Sequence, residues 1–133
     1  MFRSLISAPG RAKVDRAVAP DAFVLVDPFD LHSGSEEARS ARDFVLHASR
    51  EGALVEVWYP LFARNTPTAI TDTWRSVAHG LNLEVRWSAG NASTLHGAGI
   101  IVANPGEPAA RHITTLGAGL EPIYGKPEIR VRL

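Results

Sequence analysis

One stretch constrains the fold more than any other: Ala22-Phe23-Val24-Leu25-Val26-Asp27-Pro28-Phe29-Asp30. An unbroken apolar run this short reads as a strand covered on both faces. Asp-Pro ends it, because proline lacks an N–H and biases the residue before it away from helix. In an α/β protein such a strand delivers its terminal acid to the carboxyl edge of the sheet, where ligands of open α/β sheets bind. An acid, a proline and an aromatic at that place suit a flat ring bearing an amine. Asp27 accepts a hydrogen bond from the amine, Pro28 stiffens the loop, and Phe29 stacks on the ring. The same residues also read as a strand cap and a turn. Both readings stay open at this point.

The rest of the chain alternates strand and helix signals. Residues 1–20 are poorly patterned, with a short helix possible between Arg11 and Val18. Ser33 to Ser35 offer caps, and Glu36 and Glu37 sit where a helix N-terminus favours acids. Ala38, Ala41, Phe44, Val45 and Ala48 follow at helical spacing, and Gly52 supplies the stop. A second apolar strand spans Ala53 to Tyr59, with Pro60 at its end. Thr66-Pro67 opens a helix whose apolar positions are Ile70, Trp74, Val77 and Leu81, stopped at Gly80. Leu83, Val85 and Trp87 alternate with polar neighbours, as in a half-buried strand at an edge. Ala98 to Ala103 is an apolar strand broken by Asn104-Pro105-Gly106. Ala109, Ile113, Leu116 and Leu120 form a last helical face. Ile129, Val131 and Leu133 alternate in a closing strand. Parallel strands are expected near 22–27 and 53–59. The short link after Trp87 makes 98–103 antiparallel to 83–87.

Length and composition bound the function. The 133 residues suit one domain, and 45% hydrophobic residues suffice for a core. Lys+Arg and Asp+Glu are 14 each, so no net basic charge points to nucleic acid. No cysteine is present, which excludes disulfides and thiolate metal sites. His32, His47, His79, His96 and His112 include no pair at metal-ligand spacing. No apolar run reaches the roughly 18 residues of a membrane span. The first residues are too short and interrupted for a secretory signal, so a cytoplasmic location is expected.

Three landmarks, in order, resemble the carboxyl-terminal half of the RlmJ-like family, which methylates the N6 amine of an adenine in 23S ribosomal RNA. Val24-Leu25-Val26-Asp27-Pro28 resembles the end of that family's catalytic strand, which carries Asp-Pro-Pro-Tyr. Val57-Trp58-Tyr59-Pro60 resembles its Trp-Tyr-Pro. Gly97-Ala98-Gly99 through Asn104-Pro105 resembles its Gly-Ser-Gly strand ending in Asn-Pro-Pro. The likeness covers residues 21–133. Phe29, Asp30 and Gly106 depart from the family's pattern.

The resemblance implies a partial Rossmann-like methyltransferase sheet of the class I S-adenosylmethionine-dependent kind, mostly parallel with an antiparallel closing strand. It implies Asp27, Pro28 and Phe29 as catalytic residues, and Trp58, Tyr59 and Asn104 as contacts to the target base. It implies the target-base half of an adenine-N6 RNA methyltransferase without the cofactor half. The family's glycine-rich turn has no counterpart before Asp27, so the isolated chain is expected to bind no cofactor. S-adenosylmethionine then enters only if a partner half completes the fold. The expected partners are RNA through an adenine, a second copy of the chain, or a cofactor-binding chain, and no membrane. A non-catalytic interaction module and one subunit of a split methyltransferase are the alternatives.

Overall fold

A computed structural model describes residues 2–5, 18–27, 30–62, 65–77, 79–87, 95–124 and 128–132. Among the described residues six strands form one sheet: β1 (Phe2–Leu5), β2 (Phe23–Val26), β3 (Leu54–Leu61), β4 (Gly80–Arg86), β5 (Gly97–Ala103) and β6 (Glu128–Arg132). The described helices are α1 (Glu36–Arg50), α2 (Thr68–Ser76) and α3 (Gly106–Tyr124). The strand order is β1-β2-β3-β5-β4-β6.

β1 and β2 run parallel, as do β2 and β3. β5 is antiparallel to both β3 and β4, and β6 is antiparallel to β4. The local expectations of parallel strands around 22–27 and 53–59, and of antiparallel pairing after Trp87, match this register. The expectation of a mostly parallel sheet with a single antiparallel closing strand does not. Two pairings are parallel and three antiparallel, because β5 inserts between β3 and β4 and β6 adds beyond β4.

The signals of α1 act as read, whereas α2 opens with Pro67 as its N-cap and without a capping side chain, the Thr66 hydroxyl going to Glu84 instead. Ser35 caps α1, its hydroxyl accepting from the Ala38 amide at 3.0 Å, with Glu36 and Glu37 in the first turn. Ala38, Ala41, Phe44, Val45 and Ala48 are buried, and all but Ala38 join one core with Val24, Val55, Val57 and Ile101 of the sheet. Each large side chain so buried stabilises the fold by about 1.5–3 kcal/mol. Pro60 lies within β3. The β2 pairing ends at Val26, level with Val57, so among the described strands Pro60 pairs with β5, and the missing N–H is tolerated.

Three expectations are corrected. β1 lies where no pattern was read. Leu81, assigned to a helix, lies in β4 next to its first residue, because α2 stops at Ser76 and Val77 turns extended. β4 is an interior strand flanked by β5 and β6, not an edge. The helix proposed between Arg11 and Val18 falls mostly outside the described residues. No helix among the described residues is long and apolar enough to cross a membrane.

Candidate functional site

β5 opposes both β3 and β4, so β1, β2, β3 and β4 all point their carboxyl ends to one edge. Leu61, Gly97 and Arg86 stand level there. Asp27 follows β2 at this edge and is exposed. It makes no hydrogen bond or ion pair with the described residues. Pro28 and Phe29 lie outside the described residues.

The turn after them is tightly built. Asp30 Oδ2 accepts from the Ser33 hydroxyl at 3.0 Å and the Ser35 hydroxyl at 2.8 Å. The Ser35 and Ser33 hydroxyls hold the Asp30 carboxyl below the usual carboxylate range. Arg42 of α1 donates from Nη1 to the carbonyls of Leu31 at 2.6 Å and Ser33 at 2.9 Å. Leu31 is fully buried beneath. His32 is half-buried, and its Nδ1 is buried without a partner among the described residues. Its ring lies 5.8 Å from that of Phe62, tilted by 55°. Phe62 follows β3, so the segments after β2 and β3 touch.

The other expected contacts do not gather around Asp27. Trp58 and Tyr59 are neighbours in a strand and so face opposite sides of the sheet. Trp58 is half-buried on one face, level with Ile100 and Leu83. Tyr59 is fully buried on the other. The two side chains therefore do not share one face of the sheet. Asn104 follows β5 at the opposite edge of the sheet. Its Nδ2 donates to the carbonyls of Ser49 at 2.8 Å and Ala53 at 2.9 Å, and its φ is 53°. Both amide hydrogens thus tie the end of α1 to the start of β3.

A second polar group emerges where sequence periodicity indicated exposed alternation. Asn82 and Glu84 of β4 are buried to 2% and 1% exposure. The Tyr59 side chain crosses over Gly99 of β5 to reach them. Its single phenolic hydrogen faces Asn82 Oδ1 at 2.6 Å and Glu84 Oε1 at 2.8 Å. Thr66 donates its hydroxyl to Glu84, with oxygens at 2.7 and 2.9 Å, and accepts from Arg86 Nη2 at 3.0 Å. Arg86 also pairs with Glu84 at 2.8 Å.

Burial pushes the Glu84 carboxyl upward, but hydrogen bonds from Thr66 and Tyr59 and the Arg86 charge outweigh it. The net shift is downward. Burial first, then the Glu84 charge, pushes the Tyr59 phenol far up. The signal for this cluster was Glu84 and Arg86 two apart in one strand, facing a Gly99 that leaves room for a tyrosine.

Among the described residues no group of three or more histidine or acidic side chains can hold a metal ion. β2 leads into Asp27 and β3 into Phe62, so neither is followed by a glycine-rich turn of the kind that cradles a nucleotide cofactor.

No protein-family model matches the chain, and no curated protein matches it. Among solved structures it is similar to protein LPL1258 from Legionella pneumophila str. Philadelphia 1, whose description gives family-model DUF519. The TM-score is 0.69 at 15% sequence identity. The match covers 94% of this chain and 49% of that one, so this chain spans about half the length of its structural relative. At that identity the likeness concerns the fold alone. Most of the strand pairings are antiparallel. The fold is accordingly a small α/β domain with a mixed sheet, which replaces the expected partial Rossmann-like methyltransferase sheet.

Proposed function

We propose that this chain is the target-base half of an RlmJ-like adenine-N6 RNA methyltransferase, acting in the cytoplasm and completed by a cofactor-binding half. One observation carries the reading: the two acids after β2 have different duties. Asp30 is committed to the Ser33 and Ser35 hydroxyls and organises the turn. Asp27 has no such duty, and its carboxylate stands exposed at the carboxyl edge. A strand cap would spend its oxygens on nearby backbone or hydroxyl donors.

Adenine N6 is a poor nucleophile because its lone pair is delocalised into the ring. A carboxylate accepting an amine hydrogen favours a more tetrahedral nitrogen, which is positioning and electrostatic work. S-adenosylmethionine, once bound by a completed protein, supplies the electrophilic methyl group. No described residue forms its cradle, so this chain's own part is holding the base.

The test is binding of a short adenine-containing single-stranded RNA, followed by fluorescence anisotropy, for wild type and Asp27→Asn. Asparagine keeps the size but brings two donors where the carboxylate only accepts. Affinity is expected to fall at least tenfold, with stability held within about 0.5 kcal/mol. Equal affinity in the variant, or no binding by wild type, would overturn the reading.

A non-catalytic interaction module is the second reading. Leu116 and Ile123, two turns apart on one side of α3, are 50% and 70% exposed. Sedimentation that gives a monomer at high concentration counts against it.

A further inference from the structure

The two faces of the sheet are unequally covered over its parallel strands. On one face Val24 and Val26 of β2, and Val55 and Val57 of β3, are at most 5% exposed. Side chains of α1 and α2 join them in one core, and Val18 and Ala22 pack against it. On the other face the alternate residues Leu25, Glu56 and Trp58 stay half-buried. α3 is on that side, but it lies over β4 and β6, where its Gly117 backbone meets Leu83 and Ile129.

The aligned rows show where that cover ends. Leu25 stands level with Glu56, Glu56 with Val102, and Val102 with Leu81. Leu81 and Val102 are buried, whereas Glu56 and Leu25 are not. In the next row Leu83 is buried, and Ile100 and Trp58 are half-buried. Parallel strands are found with both faces covered. Among the described residues, β2 and β3 lack the second layer.

Glu56 narrows what can supply it. The carboxylate stands between apolar neighbours and has no hydrogen bond or ion pair among the described residues. An apolar cover alone would strand its charge. A nucleic-acid backbone or an anionic membrane brings the wrong sign. A second copy seated face to face over Glu56 would set carboxylate against carboxylate. An apolar helix carrying a cation fits. A helix is about 10 Å across and strands lie about 4.8 Å apart, so one helix covers β2, β3 and the flank of β5. Trp58 offers the aromatic anchor that interfaces favour.

We propose that this face is the docking surface for the cofactor-binding half, which lays an amphipathic helix across β2 and β3 with a lysine or arginine on Glu56. The structural relative carries about as much chain again outside the match, room for such a half. The proposal rests on the methyltransferase reading for the identity of that half, and not for the face itself.

The probe is a stapled amphipathic helix of about 15 residues, leucine-rich on one side with a single lysine at its centre. Its partner peptide has glutamate in place of that lysine. Calorimetry with the full chain is expected to favour the lysine peptide about tenfold. Glu56→Lys should reverse the preference and Glu56→Gln should abolish it, so either variant decides the matter if the other fails to fold. Carbodiimide, which joins a carboxylate to an amine in contact with it, should link the peptide lysine to Glu56.

Binding of neither peptide, equal affinity for both, or a preference that persists in Glu56→Gln overturns the proposal. So does a crosslink that lands only on other acids. A wild-type dimer in sedimentation that Trp58→Ala turns into a monomer assigns the face to a second copy and overturns it too. If wild type discriminates the peptides but binds no adenine-containing RNA, the adenine reading falls and the docking face stands. If RNA binds and the peptides are not told apart, the docking face falls alone.

Discussion

Gly99 is a position where one added carbon should do much damage. A Cβ there would lie within 2.6 Å of three atoms of the Tyr59 ring and hydroxyl, closer than real Cβ contacts come. The ring is fully buried and cannot swing away cheaply. Overpacking of this kind costs about 1–3 kcal/mol. Displacing Tyr59 also removes its hydrogen bond to the buried Glu84, worth about 1.5–3 kcal/mol for a charged acceptor. Together Gly99→Ala should cost about 2.5–6 kcal/mol, a large part of the roughly 5–15 kcal/mol that stabilises a domain. At a few degrees per kcal/mol, the melting temperature should fall by about 10–20 °C. The assay is thermal unfolding followed by circular dichroism. Gly119→Ala serves as the control, because a Cβ there meets nothing and alanine suits a helix. Adding Tyr59→Leu should make Gly99→Ala far less costly. A Gly99→Ala protein melting within about 4 °C of wild type would refute the steric account.

Other outcomes follow from the same structure. Glu84 is held below its ordinary range, so its stabilising contribution is complete above the unfolded value of about 4.3 and is lost as pH falls through the lower folded value. Urea titrations between pH 5 and pH 2 should show a shallower acid loss for Glu84→Gln, and an unchanged slope would contradict the network. Asn104→Ala removes two hydrogen bonds and leaves a side chain at a φ of 53°, so it should cost about 2–4 kcal/mol in chemical denaturation. The same variant should bind adenine-containing RNA as wild type does, because the residue lies at the far edge; a tenfold loss would place it in the site. Calorimetry with S-adenosylmethionine should give no measurable binding to the isolated chain, and micromolar affinity would overturn the division into halves.

What the sequence revealed depended on how local the signal was. Ser35 with Glu36 and Glu37 marked the start of α1, because a cap is a contact between residues three apart. The apolar runs marked β2 and β3 for the same reason. β1 escaped notice because Phe-Arg-Ser-Leu has no pattern of its own, and its pairing partner, β2, lies some twenty residues away. The insertion of β5 between β3 and β4 depends on pairing across distant segments, and nothing in the local run shows it. The Glu84 cluster was hidden by the alternation itself. Asn82, Glu84 and Arg86 looked like a solvated face, yet the register puts Glu84 level with Gly99 and Tyr59. Only the three-strand alignment shows that a glycine in the middle lets a tyrosine reach across to an acid.

The motifs that carried the family likeness separate into two kinds once they are placed in the fold. Asn104 lies in one of them, and its geometry accounts for it without any ligand: a left-handed backbone position that asparagine tolerates, and an amide that satisfies the last carbonyl groups of a helix and the approach to a strand. Tyr59 lies in another, and it is explained by Asn82 and Glu84. Asp27 is different. The neighbouring acid meets the needs of the turn, and the described structure gives Asp27 no partner. The weight of the adenine reading therefore rests on one carboxylate, and Asp27→Asn tests that reading more sharply than any change at Tyr59 or Asn104.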